Sequence, residues 1–394
     1  MQNFGLFLLF LFFIAAALKI DFFLTIVYLF FAVYLFSRLW VSHGMGRLRA
    51  ERRFADHAFF GDRVTIDLTV RNTSLLPLLW LEIHESLPVH FTTPPFYEEV
   101  VTLPPRGQRR FQYTLHCRQR GYYNIGPLTA RTGDLLGTMR PMVKEVASEP
   151  IIVYPRVVPV QKLGLPTHSP LVALPARSPL FEDPARVRGV RDYQRGDSPR
   201  RIHWTATASA GRLLVKQYQP AIARETLICL DLDRDDYSDH YRMAGTELGI
   251  VAAASLANHI LVRDRLAVGL ATEAWDSVRE EHSAFYLPPR KERGHLMNLL
   301  ETLARVQITP ETTFINLLYQ RAVHLSWGAT VVVITGKESE ELFDALAYLR
   351  RTGFAVALVL ARPDCPSDEL RQRSALLGVP VHRVWEEREL ELWP

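Results

Sequence analysis

The chain runs to 394 residues, 48% of them hydrophobic, which is enough for two or three cored domains and too much for a single small module. Its formal net charge of +4 comes from cations and carboxylates interspersed along the chain, which excludes a dedicated nucleic-acid binder and an acidic tail. The three cysteines, Cys117, Cys229 and Cys365, lie far apart without CxxC spacing, which argues against a zinc site and suits free thiols in a reducing compartment.

From Phe4 to Leu18 every residue is apolar or small, and a second apolar run from Phe22 to Phe36 follows the interruption at Lys19, Ile20 and Asp21. Two membrane helices are expected within residues 1–41, with Lys19 snorkelling and Trp40 as an interface anchor. Ala15 to Ala17 resemble a signal-peptide cleavage site, but Met1 to Asn3 carry no basic residue and a second apolar run follows at once. Arg38, Arg47, Arg49, Arg52 and Arg53 all follow the second run, so the positive-inside rule puts both the N-terminus and the large C-terminal part in the cytoplasm. The expectation is a two-pass protein of the inner (plasma) membrane, with residues 42–54 a basic juxtamembrane segment able to lie along anionic head groups.

Residues 55–150 read as a β domain. Val64, Ile66, Leu68 and Val70 alternate with polar residues, as do Phe111, Tyr113, Leu115 and Cys117, and turn residues separate the runs. Short strands without helical period predict a small β-sandwich resembling an immunoglobulin-like fold. Asn72-Thr73-Ser74 fits a glycosylation sequon, which a cytoplasmic turn explains without glycan.

Residues 151–224 form a linker holding the most distinctive stretch of the chain, Phe181 to Ala206. Ser198 or Asp197 is suited to cap a helix beginning at Pro199, and Gly211 to close it, so a short helix over Arg200 to Ala210 is expected with Ile202 and Trp204 turned inward. Leu213 to Tyr218 then reads as a strand. Two accounts of the stretch stand side by side. Asp197 with Arg200 or Arg191 forms a buried ionic network under Trp204; or Arg188, Arg191, Arg195, Arg200, Arg201 and Lys216 form an anion-binding or partner-docking patch.

Residues 225–394 alternate strand and helix. Strands are expected at Thr226 to Leu230, Leu266 to Ala271, Thr330 to Thr335, Ala355 to Leu360 and Val379 to Val384. Helices are expected at Met243 to Val262, Thr312 to His324, Glu340 to Arg351 and Asp368 to Leu377. Such alternation predicts a Rossmann-like parallel sheet with helices on both faces, and a ligand in such a sheet sits at the C-terminal strand ends.

The Phe181 to Ala206 stretch resembles the signature of the bacterial family called domain of unknown function 58. Its spaced positions are Arg191, Tyr193, Gly196, Asp197, Arg200, Ile202, Trp204, Thr207, Ala208 and Lys216, and Ser209 stands where many members have an Arg. A β-domain element matches at Arg120, Gly121, Tyr122, Gly126, Pro127 and Asp134. The resemblance implies a membrane hairpin, a β domain, a C-terminal domain similar to von Willebrand factor type A, and association with ATPases of the MoxR type (AAA+), with no established reaction.

At the first strand end, the von Willebrand-type pattern Asp-x-Ser-x-Ser is replaced by Asp231, Asp233 and Asp235, and Thr335-Gly336-Lys337 stands where Thr-Asp-Gly is common. The metal site implied there, Asp231, Asp233, Asp235 and Thr335, is therefore a degenerate one. A Mg²⁺ ion is its conceivable occupant, and no other cofactor is expected. Asp231-x-Asp233 followed later by Thr335 and Lys337 or Lys162 also resembles haloacid-dehalogenase-like phosphatases, with Asp231 as nucleophile. His203 and His240 lack a partnering nucleophile, and the chain has no Gly-rich phosphate loop. The leading expectation is a membrane-anchored, non-enzymatic protein-binding scaffold that engages the lipid bilayer and a protein partner but no nucleic acid.

Overall fold

The computed structural model describes residues 4–18, 21–92, 94–134, 141–160, 182–194, 197–220, 225–310, 312–364 and 368–391. Lys19, Ile20, Lys162, Arg195, Gly196 and Cys365 lie outside them, as does the side chain of Arg188. The chain divides into two compact units, Met1–Arg156 and Val157–Pro394.

The first unit opens with α1 (Phe4–Leu18) and α2 (Asp21–Gly46), which meet through Phe12 and Tyr28, their rings 5.9 Å apart. Helix α2 alone of the two is long and apolar enough to cross a bilayer, and almost none of its apolar surface is covered by protein. It runs to Gly46, one and a half turns past Val41.

Ten strands follow: β1 (Leu48–Arg53), β2 (His57–Phe59), β3 (Arg63–Asn72), β4 (Leu78–Ser86), β5 (Phe96–Leu103), β6 (Gln108–His116), β7 (Gly121–Ile125), β8 (Leu128–Thr132), β9 (Met142–Val146) and β10 (Glu149–Tyr154). The sheets run β1-β3-β6, β5-β4-β8-β9 and β2-β10-β7. The alternation in β3 buries Val64, Ile66, Leu68 and Val70. Leu68 and Val70 meet Leu81, Ile83 and Leu128 in one core, while Val64 and Ile66 meet Ile125, Ile151 and Val153 in another.

Strand β1 takes Arg52 out of the basic residues of segment 42–54 that could meet head groups: it is buried, ion-paired with Glu85 and Glu149 and donating to the Ala147 carbonyl at 2.7 Å, whereas Arg47, Arg49 and Arg53 are exposed.

In the second unit β11 (Glu182–Asp192) and β12 (Leu214–Pro220) form an antiparallel hairpin enclosing a short turn, Pro199–Arg201, and α3 (Trp204–Ala210). Then come β13 (Glu225–Leu230), α4 (Arg242–Asn258), β14 (Ala267–Asp276), β15 (Glu281–Arg290), α5 (Arg293–Arg305), β16 (Val306–Gln307), α6 (Phe314–Ala322), β17 (Thr330–Thr335), α7 (Glu340–Arg351), β18 (Ala355–Ala361), α8 (Asp368–Leu377), β19 (Val381–Val384) and α9 (Glu387–Glu391).

The main sheet has the order β15-β14-β13-β17-β18-β19, parallel from β14 to β19. Both faces of β13 are covered. Leu227 and Cys229 pack under α6 and α7, while Leu230 meets α4 on the opposite face, where a Cβ on Gly249 would lie 3.5 Å from it. The antiparallel edge strand β15 and helix α5 stand where the sequence reading expects neither.

Candidate functional site

Two regions hold the residues singled out by sequence. The first is the β11–β12 hairpin. Opposite strands place Val190 against Lys216 and Arg191 against Val215. The amide of Tyr193 donates to the Leu213 carbonyl at 3.0 Å. Arg191 then reaches forward and grips Asp197 with both terminal nitrogens, at 2.7 and 2.6 Å, while the Gln194 amide donates to the same carboxylate at 2.9 Å. Such a planar fork fixes orientation as well as charge. The Arg191 guanidinium, helped by the Gln194 amide, pulls the Asp197 carboxyl down to about 2, so the pair is ionised at any physiological pH. Arg191 is exposed, so this is a surface clamp between the end of β11 and Asp197 and not a buried network.

Beyond the clamp the expected helix is shorter than its sequence suggests. Pro199–Arg201 form a single tight turn, Ser198 makes no side-chain cap, and α3 begins only at Trp204. The cap is His203, whose Nδ1 accepts from the Ala206 amide at 3.2 Å, and Gly211 closes the helix with φ 66°. Ile202 breaks the helix because its backbone is extended and bridges to Val215. Thr207 accepts from the Leu214 amide at 3.0 Å, which ties α3 to β12. Trp204 is not turned inward: it is 67% exposed, with Arg200 and Arg201 exposed nearby in sequence and Ile202 and Lys216 half-buried.

The second region is the C-terminal end of β13 and β17. Asp231 is only 1% exposed. Its Oδ2 accepts from the Thr335 hydroxyl at 2.7 Å and its Oδ1 from the Asp233 amide at 3.0 Å. Burial and the neighbouring Asp236 charge hold Asp231 well above the usual carboxylate range, although the Asp233 amide and the Thr335 hydroxyl oppose the shift. The Lys337 ammonium stands 3.3 Å from Asp236 Oδ1.

Asp233 is engaged within the loop. Oδ1 accepts from the Asp235 amide at 2.9 Å, and Oδ2 from both the amide and the hydroxyl of Thr312, at 2.7 and 3.1 Å. Asp235 is exposed. Gly336 occupies the position of the expected Asp because nothing larger fits. A Cβ there would lie 2.5 Å from Tyr237 Cδ1 and 2.6 Å from the Asp236 carbonyl oxygen.

Sequence reasoning does not single out Thr312 or Tyr237. The one available signal is the Thr312-Thr313 pair just ahead of α6. A cleft of about 390 Å³ opens over Asp231, Asp236, Thr312, Asn316 and Lys337.

A cation against Asp231 would face the Lys337 ammonium, which stands 3.3 Å from Asp236 Oδ1. Among the described residues, no group of three or more His, Cys, Asp or Glu side chains is arranged to hold a metal. Nor is Asp231 presented as a nucleophile: it is buried with both carboxylate oxygens engaged by Thr335 and the Asp233 amide, so the geometry gives the phosphatase reading no support.

A family model described as "Protein of unknown function DUF58" matches residues 189–363. The uncharacterized protein YeaD of Bacillus subtilis (strain 168) is 23% identical over 256 residues, covering 62% of this chain. The chain matches only 58% of that relative's length. Among solved structures, a von Willebrand factor type A protein from Catenulispora acidiphila is 14% identical with a TM-score of 0.29, over 45% of this chain and 41% of its own. The CARDB domain of the PF1109 protein from Pyrococcus furiosus is 17% identical with a TM-score of 0.22, over 27% of this chain and 86% of its own. Neither TM-score is high enough for the likeness to carry a functional conclusion.

Proposed function

We propose, from the premise that residues 189–363 place this chain in the DUF58 family, that it is a membrane-anchored scaffold which binds another protein through the β11–β12 hairpin. The observation that carries this reading is the exposure of Trp204 a few residues after the exposed Arg200 and Arg201. An aromatic of that size held in water at the start of α3 matches the Trp and Arg anchors that dominate protein interfaces. In this reading the first unit contains an immunoglobulin-like domain, and the α/β part of the second unit is von Willebrand factor type A-like. The partner is a MoxR-type AAA+ ATPase acting on a client in assembly or maturation. The protein is two-pass in the inner membrane with both units cytoplasmic, and it works without cofactor, catalysis or nucleic acid. The carboxylate hydrogen bonds at the β13 end support binding over turnover, because they stabilise the loop.

Affinity capture from detergent-solubilised membranes tests the site. Trp204→Ala and Arg200→Ala are each expected to lower recovery of the ATPase about tenfold, the effect of losing roughly 1.4 kcal/mol at an interface anchor. Thermal melts of both variants should match the wild type. An unchanged partner list in both would sink the assignment, and Mg²⁺-dependent phosphoester turnover lost in Asp231→Asn would replace it with an enzyme.

A further inference from the structure

The turn between β3 and β4 runs back along the last turns of α2. The amide and the hydroxyl of Thr73 both donate to the Arg47 carbonyl, at 3.1 and 2.6 Å. Leu78 lies against Gly44, where an added Cβ would stand 2.6 Å from Leu78 Cδ2, and Trp40 Nε1 donates to the Pro77 carbonyl at 2.9 Å. From Arg47 back to Trp40 is seven residues, or roughly 10 Å of helix at about 1.5 Å per residue. The turn therefore reaches the depth of Trp40.

It is also rigid. Asn72 is fully buried, donating to the Leu76 and Pro104 carbonyls at 2.8 and 3.2 Å and accepting from the amide and hydroxyl of Ser74 at 3.0 and 2.7 Å. The Asn72-Thr73-Ser74 sequon is thus a structural brace whose Asn has no free amide to modify.

That brace holds apolar side chains outward. Leu75 is 64% and Leu79 44% exposed, and Phe36 and Leu39 of α2 are exposed too. No charged residue occurs from Thr73 to Leu81. Between turn and helix lies a groove of about 260 Å³ lined mainly by Phe36, Trp40, Val41, Pro77 and Leu79, with Asp134 also in its wall.

We propose that the Leu75 to Leu79 turn inserts into the acyl–headgroup boundary of the bilayer that α2 enters, with a lipid acyl segment in the groove. The proposal rests on the reading of α2 as a membrane helix. Lipid is the occupant because the turn is continuous with the apolar surface of α2. Trp40 marks the depth at which indole rings settle, and the exposed Arg38 beside it suits lipid phosphates. The first unit is then held at the membrane by a helix and a loop, which fixes its tilt as a flexible tether would not.

The test places an environment-sensitive NBD label in the full chain, reconstituted in vesicles of phosphatidylethanolamine and phosphatidylglycerol. Cys117 and Cys229 are buried, their thiols pushed up by burial to about 11 and 12, so they compete little for the label; Cys365→Ser removes the third. Labels go at Leu75→Cys, at Phe30→Cys within α2, and at Arg63→Cys at the far end of β3, nine residues before Asn72 and so roughly 30 Å from it at about 3.3 Å per residue. The Leu75 label is expected to be quenched by a nitroxide near the lipid head group and shielded from aqueous iodide, with the Arg63 label the reverse. A lipid-quenched Phe30 label beside an iodide-accessible Leu75 label overturns the proposal and leaves the membrane helix standing. A Leu75 label shielded from both quenchers also overturns it, since protein then covers the turn. If the Phe30 label is not quenched from the lipid, the membrane reading of α2 fails, and the proposal with it.

Discussion

Asp231 shows how far one side chain's chemistry can be inverted by its surroundings. In sequence it heads a run of carboxylates that invites a cation; in the fold it is buried, and burial holds its carboxyl well above the usual range. Because its folded pKa is raised, the stability linked to its proton is complete below the unfolded value of about 3.9 and is lost as pH rises through the folded value. Asp231→Asn keeps an acceptor for Thr335 and the Asp233 amide and supplies a permanent donor toward Asp236. It is expected to raise stability at neutral pH by about 1 kcal/mol, or roughly 2–4 °C in Tm, and to give no gain below about pH 4. Thermal melts across that range measure it. A variant less stable at every pH would show that Asp231 is ionised and paired. Gly336→Asp, which restores only the Asp of the common Thr-Asp-Gly, is expected to destabilise the fold because Tyr237 fills that space.

At the scale of elements, strand β1 depends on a contact no local pattern reveals. Leu48 and Arg52 both point inward, and Arg52 is tolerated there because Glu85 and Glu149 neutralise it and Tyr113 donates to Glu85. Arg52→Ala leaves Glu85 buried and unpaired, so urea denaturation is expected to show a loss of about 3–5 kcal/mol; an effect under 1 kcal/mol would mean that solvent reaches the pair. The same logic separates what is legible in the sequence from what is not. Strands β3, β6, β13, β17 and β18 and helix α7 are readable because period and burial agree, as in β17, whose span Thr330–Thr335 is the expected one. Strand β1 reads as a basic linker because its neutralising partners are 33 and 97 residues away. Strand β15 is an edge whose short Ala284 to Leu287 run ends in Pro288 and Pro289, which read as a break. The clamp pairs Arg191 with Asp197 as one account allows, but on the surface and not buried under Trp204. The exposure of Trp204 is not legible in the sequence, because helical spacing counted from Pro199 turns it inward, whereas the extended Ile202 resets that count.

For the whole molecule, orientation is the property with the clearest sequence basis and the simplest test. With both units cytoplasmic, an alkaline-phosphatase reporter fused after Pro394 is expected to be inactive and a green fluorescent one bright. The reverse pattern would place both units outside and remove a cytoplasmic ATPase as partner. Helix α4 adds a constraint of another kind. By length and composition it is a second candidate for crossing a bilayer, yet the sheet buries most of it. Of the strands it packs against, β13 is synthesised before it, while β17 and β18 come later, with β18 ending at Ala361, roughly a hundred residues on. At about 5–20 residues per second, a greasy helix waits on the order of ten seconds for its cover. In a nascent chain already delivered to a membrane insertase, that interval sets a race between burial in protein and release into lipid, so slow folding of this sheet would show itself as inverted topology before it appeared as aggregation.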